Sequence, residues 1–475
     1  LKTFNSDFLF GAATAAYQSE GATTIDGRGP CYWDEYLHRD SSTFHGDIAS
    51  DFYHTYKQDI RQAKAFGIDS IRISIAWTRI LPNGIGPVNQ AGVQFYRDVF
   101  DECRENGVEP FVTLHHFDTP LPLFKKGDWL NKDNIDHFVN YAKVCFQQFG
   151  DQVKHWITIN EPWSVVAGQY VIGHFPPNIQ YDVPKAIQAM HNMSVAHAKV
   201  VNLYKDMQLD GEIGIVHILE SKYANSESEN DKKAAQLEDT LANRFVLDAC
   251  LKGKYSEETV RDLTDIIQAS RDTWTITDEE LNCLSKAAVQ IDFLGLNYYA
   301  SHFIEHYEGD SFIGHNGTGE KGTSVFALKG IGKRVKNQAV PTTDWDWPIF
   351  PKGLFDMLLR IKNEYPAYKK IYVTENGLGY KDAMTGHKIN DLLRIQYVHD
   401  HLAAILEAID AGVNVKGYFI WSLMDVLSWT NGFNKRYGLF YVDFETQERY
   451  PKRSAYWYKQ LSSSRVLLGP QRVEF

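Results

Sequence analysis

Eight short apolar runs, rich in Val, Ile and aromatic residues, recur along this 475-residue chain and are separated by amphipathic stretches of helical period. The runs cover 8–15, 68–75, 108–115, 154–159, 211–217, 291–297, 369–374 and 416–421. Helical periodicity marks 51–66, 91–106, 134–149, 185–206, 353–364 and 394–411, with a closing helix from Pro451 to about Ser464. A strand covered on both faces reads as a continuous apolar run, and strands that alternate with helices form parallel sheets. Eight such units predict an α/β fold closed into a (β/α)8 TIM barrel rather than an open doubly wound sheet. No Pro/Gly/Ser-rich linker divides the pattern, so 1–475 reads as a single catalytic barrel domain with long βα loops. The least regular stretch, 301–347, holds Gly309, Gly314, Gly317, Gly319, Gly322, Gly330 and Gly332. In a barrel it is a βα loop on the C-terminal face, either a lid over an active site or an ordinary surface insertion.

Two of the runs end on a glutamate: HWITINEP brings Glu161 to the end of the fourth strand, and IYVTENGLG brings Glu375 to the end of the seventh. Both carboxyls then emerge on the same barrel face and converge. Cutting a glycosidic bond requires protonating a poor leaving oxygen while stabilising an oxocarbenium-like carbon. Two carboxyl groups flanking the bond do both, and a spacing of about 5–5.5 Å selects the retaining, covalent route. Either motif alone is weak evidence. The pair, each ending a barrel strand, is specific.

Composition removes other classes. The chain is 44% hydrophobic and 23% charged, enough apolar material for a large core. Net charge is −11 with no basic stripe, which argues against nucleic acid as a partner. No run approaches the ~20 apolar residues that a membrane-spanning helix needs, and no basic segment followed by an apolar run marks a secretory leader. Cys31, Cys103, Cys145, Cys250 and Cys283 are scattered without metal-ligand spacing and read as reduced thiols of a cytoplasmic protein. The sequons at Asn192 and Asn316 are accordingly expected to stay unmodified. Oligomeric state is left open by the sequence.

The stretch FLFGAATAAYQSEGA, 8–22, is similar to the opening signature of glycoside hydrolase family 1, and IYVTENGLG, 371–379, resembles that family's nucleophile signature. TINEP, FLGLNYY and WSLMD carry the likeness from about residue 5 to 463. The resemblance implies Glu161 as general acid/base and Glu375 as nucleophile, with no metal or organic cofactor. It also implies that Gln18, His116, Asn160, Asn297 and Trp421 hold sugar hydroxyls, Asn160 taking the 2-hydroxyl. Arg72 and Tyr299 match positions that buttress the nucleophile, and a cation and a phenol there would keep Glu375 ionised. The charge on Glu375 would in turn raise the pKa of Glu161. Phe117 stands where family glucosidases commonly carry Trp, retaining a flat surface without its donor.

The segment WSLMDVLSWTNGFNKRY, 421–437, departs further. Family members acting on unphosphorylated sugars usually have Glu where Ser428 stands. A carboxylate there would repel a 6-phosphate, since like charges about 4 Å apart cost roughly 4 kcal/mol at intermediate dielectric. Ser428, Lys435 and Tyr437 instead offer hydroxyl, ammonium and phenol donors around one point charge. This pattern resembles the 6-phospho-β-glycosidase branch of the family, the other reading of Lys435-Arg436 being a solvated basic turn. Trp429 resembles the galactose-type members, which implies a small phosphorylated disaccharide, lactose 6-phosphate, split to galactose 6-phosphate and glucose in the cytoplasm. A glucose-type or dual-specificity 6-phospho enzyme is the nearest alternative. A β-glucosidase on free sugars and a non-catalytic sugar-binding barrel lie further off, the first for want of Glu at 428 and the second because both glutamates are present. Whether Trp347 and the 301–347 loop border the aglycone is left open by the sequence.

Overall fold

In the computed structural model, which describes residues 2–39, 42–473 and 475, the eight apolar runs are eight strands. They are β1 (Leu9–Ala13), β2 (Ser70–Ser74), β3 (Glu109–His115), β4 (His155–Asn160), β5 (Glu212–Ile218), β6 (Phe293–Asn297), β7 (Ile371–Asn376) and β8 (Val415–Trp421). Each runs parallel to its neighbours in chain order, and β8 returns to β1 with Leu9 opposite Gly417 and Ala13 opposite Trp421, which closes the barrel. The amphipathic stretches are the helices Phe52–Ala65, Gln90–Glu105, Asp133–Phe149, Val183–Asp206, Pro351–Glu364, Leu392–Asp410 and Arg453–Ser464. Three further helices, Glu229–Asp239, Glu257–Ala269 and Asp278–Gln290, fill the connection from β5 to β6. The first of these is mostly charged and polar, and π-helical turns follow it, so no clean 3.6-residue apolar stripe announces it.

Strand side chains alternate between the two faces of a sheet, so residues two apart stack along the barrel axis. Phe111, Phe293, Tyr372 and Phe419 meet low in the barrel, Phe111 lying 4.9 Å from Phe419 and 5.0 Å from Tyr372 between ring centroids. A Cβ at Gly11 would sit 2.4 Å from a Phe419 ring carbon, so β1 needs glycine there. One step further toward the C-terminal end come Thr113, Thr374 and Trp421 on the same strands. A polar layer therefore rests on an aromatic plug. The register slips in the second half of both glutamate-bearing strands, between Ile157 and Asn160 on β4 and beyond Val373 on β7. Such bulges bend a strand and redirect its last side chains.

The 301–347 segment follows β6 on the C-terminal face, as expected, but it is not irregular. His302–Glu305, Phe312–Gly314, Val325–Leu328 and Gly332–Val335 join Lys222–Ala224 in a five-stranded sheet. Gly319, Gly322 and Gly330 serve its connections, adopting left-handed backbone that other residues avoid. All five cysteines are free thiols, four of them buried. Asn192 and Asn316 are buried too, with side-chain amides donating to the carbonyls of Trp129 and of Glu320 and Asp344, geometry that leaves no room for a glycan. No helix among the described residues is long and apolar enough to cross a membrane.

Candidate active site

A cavity of about 640 Å³ opens at the C-terminal face of the barrel, and both Glu161 and Glu375 line it. Arg72 on β2 is fully buried beneath them. Its guanidinium donates to Glu375 Oε1 at 2.5 Å, to Asn160 Oδ1 at 2.6 Å and to Thr113 Oγ1 at 3.2 Å. The Tyr299 hydroxyl donates to the other Glu375 oxygen at 2.7 Å. Glu161 follows β4 in a left-handed backbone conformation (φ 45°), accepting from Asn297 Nδ2 at 2.6 Å and from Ser164 Oγ at 2.6 Å.

The two carboxyls are thus chemically unequal. Burial raises Glu161 to about 8, the Glu375 charge adds to the rise, and only neutral donors oppose it. Glu375 is also raised by burial, and here the Arg72 guanidinium and the Tyr299 phenol pull it back. The expected partners are in place, but they offset desolvation rather than overcome it. With a cation on one carboxyl and none on the other, the shared proton belongs on Glu161. An ionised group beside a protonated one is what nucleophile and general acid require.

Around the carboxyls, unused polar atoms face the cavity. Gln18 donates to the Leu427 carbonyl at 2.6 Å while its Oε1 is buried without a partner. His116 stays neutral because burial and Arg72 hold its pKa well below the usual imidazole range, and its Nε2 lies 3.3 Å from Asn160 Nδ2. The Trp421 and His116 rings lie stacked 6.0 Å apart. Asn297, expected among the sugar-binding groups, has both amide hydrogens committed, to Glu161 and to Asn160, and its oxygen accepts from Thr374. It lies behind the cavity wall and positions Glu161. In the opening signature only Gln18 reaches the cavity. Glu20 turns away to bond Arg79 and Tyr96, each at 2.7 Å.

At the far end, Ser428, Trp429, Lys435 and Tyr437 line the same cavity. Arg436 bonds Asp425 at 2.6 Å, whereas Lys435 is 2% exposed and has no carboxylate partner among the described residues. A solvated basic turn is therefore excluded. Its ammonium lies 3.6 Å from the ring centre of Trp347, 4.8 Å from Trp345 and 5.5 Å from Tyr437. Each ring face returns about 0.5–2 kcal/mol, against several kcal/mol for desolvating an ammonium. Burial accordingly drives the Lys435 pKa well below its ordinary value. An anion beside it would restore the balance.

Trp345, Trp347 and Asn431 join this end without having been assigned to it from sequence. The two tryptophans sit two apart in DWDW, on a turn in which Asp346 takes left-handed backbone (φ 66°), so no strand or helix periodicity announced that both meet Lys435. Trp429 is held by Trp33 at 4.9 Å, Phe117 at 5.2 Å and a stacked Tyr17 at 5.9 Å, and its indole N–H makes no hydrogen bond among the described residues.

Paired carboxyls on the ends of β4 and β7 of a closed (β/α)8 barrel define a glycoside hydrolase site, and the chain belongs to glycosyl hydrolase family 1, whose family model matches residues 1–466. It is 62% identical over 475 residues to a 6-phospho-beta-galactosidase of Clostridium acetobutylicum, covering 100% of both chains. A 6-phospho-beta-galactosidase of Streptococcus mutans serotype c is 53% identical over 467 residues, covering 98% of this chain and 99% of that one. Among solved structures, the family 1 β-glucosidase from Thermotoga maritima superposes with a TM-score of 0.87 at 35% identity, over 98% of this chain and 99% of that one.

Proposed function

We propose that the chain is a retaining 6-phospho-β-galactosidase that hydrolyses lactose 6-phosphate to galactose 6-phosphate and glucose, the whole chain serving as one catalytic unit. The observation that carries the phosphate reading is Lys435, buried without a carboxylate partner among the described residues, in the cavity that holds Glu161 and Glu375. A 6-phosphate supplies the missing charge, with the Ser428 and Tyr437 hydroxyls and the Asn431 amide as neutral donors. The two relatives named above support the same substrate class. A phosphorylated sugar does not cross a bilayer unaided, so the enzyme acts in the cytoplasm.

In this mechanism the Glu375 carboxylate attacks the anomeric carbon while Glu161 gives its proton to the departing glycosidic oxygen. A glycosyl ester on Glu375 results, and the glucose leaves. Glu161, now ionised, takes a proton from water, which attacks the same carbon and frees Glu375. Asn160, held by Arg72 and Asn297, presents its amide to the 2-hydroxyl. Gln18 offers its free oxygen to another hydroxyl, beside His116 and Trp421.

The test is a comparison of kcat/KM on nitrophenyl β-galactoside, nitrophenyl β-glucoside and their 6-phosphates. The 6-phospho-β-galactoside is expected to be cleaved best. Faster cleavage of the unphosphorylated sugars would overturn the phosphate reading. Lys435→Ala is expected to lower kcat/KM for the phosphorylated substrates by roughly 10–1000-fold, equivalent to about 1.4–4 kcal/mol for a charge-assisted contact. Unphosphorylated substrates should change little in that variant.

Trp429 is assigned the preference for galactose, because the two sugars differ only at C4, axial in one and equatorial in the other. Its nest of Tyr17, Trp33 and Phe117 holds the indole as a fixed wall. Trp429→Ala is expected to reduce the galactose-to-glucose ratio of kcat/KM on the 6-phosphates by about tenfold or more. A parallel loss on both sugars, with the ratio unmoved, would make Trp429 scaffolding only.

A further inference from the structure

Outside the cavity, two imidazoles and a carboxylate converge where the helix Tyr32–Leu37 ends. His38 Nε2 lies 2.9 Å from Asp47 Oδ2, His45 Nδ1 lies 3.4 Å from the same oxygen, and all three atoms are within 4.8 Å of one another. For metal–ligand bonds of about 2.0–2.1 Å, the edge of a ligand tetrahedron is roughly 3.3 Å. Both nitrogen-to-oxygen separations already sit near that edge; the two rings are stacked, 5.0 Å apart with their planes 17° apart, and must turn for both nitrogens to share one ion.

His38 Nδ1 donates to the Asp34 carbonyl at 2.6 Å, which leaves Nε2 as the ring's ligand atom; without a cation Nε2 donates to Asp47 Oδ2 at 2.9 Å, and a bound cation would take the place of that proton. A backbone carbonyl holding the second ring nitrogen is the usual support for a metal-binding imidazole. His45 Nδ1 accepts from the Asp47 backbone N–H at 3.4 Å, a long contact that a bound cation would replace. Asp47 Oδ1 accepts from Thr23 Oγ1 at 3.1 Å, which leaves Oδ2 as the oxygen turned to both rings. All three side chains are at least 36% exposed, so an ion can reach them.

We propose that His38, His45 and Asp47 form a binding site for one zinc-class divalent cation, with water completing the coordination. Two imidazoles and one carboxylate select Zn(II), Ni(II) or Co(II) over the all-oxygen shells of Mg(II) and Ca(II). The place matters to the rest of the molecule. Trp33, on the helix that ends at His38, packs against Trp429, and Gly46 lies so close to Tyr17 that a Cβ there would be 2.9 Å from the ring. Tyr17 is itself stacked on Trp429, and Phe44 packs on Gly432 in the turn that carries Ser428. The cation would join two segments that brace this wall of the cavity.

The test is calorimetric titration of the untagged, chelator-treated chain with Zn(II) alone, with Mg(II) in a parallel run. One equivalent of Zn(II) is expected to bind, and His45→Ala and Asp47→Asn should each weaken that binding by about tenfold or more. Cys283→Ser, at the one partly exposed thiol, should leave it unchanged. The substituted side chains are at the surface, and melting curves matching the parent in chelator establish that each variant is folded. No binding by the parent chain, equal binding by His45→Ala and Asp47→Asn, loss in Cys283→Ser, or Mg(II) binding as tight as Zn(II) would each overturn the site.

Discussion

Replacing Glu375 by Gln is expected to cut kcat on the preferred substrate by roughly 10⁴-fold or more, the scale on which removing a covalent nucleophile acts. The amide keeps the shape of the carboxylate and its contact with Tyr299, so substrate binding should survive while the glycosyl ester cannot form. The same change leaves the fully buried Arg72 without its anion. Breaking a buried pair from one side costs about 3 kcal/mol or more, so the melting temperature of the variant should fall. In the parent enzyme, a 2-deoxy-2-fluoro substrate analogue is expected to trap an ester on Glu375, located by digestion and mass spectrometry. An adduct on another residue, or a product released first as the α anomer, would end the retaining mechanism.

Glu161→Gln should lose about 10²–10⁴-fold on substrates with poor leaving groups and much less on activated nitrophenyl ones, which depart without protonation. Azide should restore turnover, because it attacks the glycosyl ester without a base. The pH profile gives an independent reading. A general acid works only while protonated, so activity in the parent enzyme should fall as pH rises through about 8, where Glu161 loses its proton. A nucleophile works only while ionised, so activity should also fall on the acid side, as pH drops through a Glu375 pKa that burial lifts above the ordinary carboxylate value. The second ionisation of a substrate phosphate, near pH ~6, overlaps that acid limb. Measured as kcat, where the bound phosphate holds Lys435 charged, the alkaline limb is the diagnostic one, and it should vanish in Glu161→Gln. Uniform losses across leaving groups, no response to azide and an alkaline limb still present would remove Glu161 from the acid/base role.

Legibility followed the range of the interaction involved. The eight barrel strands were readable because a strand covered on both faces must be apolar along its length, a local property. Glu161 and Glu375 were readable for a related reason: a carboxylate directly after such a run sits at the rim of the barrel. That Ser428 and Lys435 lie near one another was readable because one short segment carries both. The five-stranded sheet that 301–347 forms with Lys222–Ala224 was not, because its strands are three or four residues long and pair mainly with one another, leaving little alternation to detect.

The amino-acid sequence alone determined the barrel, the two carboxyls at its rim and the kinds of side chain that surround them. Tertiary structure decided what those side chains do. Asn297, at the end of β6, binds Glu161, directly after β4, instead of facing the cavity. Glu161 is raised above an ordinary glutamate because the fold buries it and brings the Glu375 charge, from a distant part of the chain, beside it. Lys435 is stripped of water by Trp345 and Trp347, some ninety residues earlier in the chain. Desolvation depends on everything packed within a few ångströms of a group, whatever its distance along the chain, so only the folded molecule sets it.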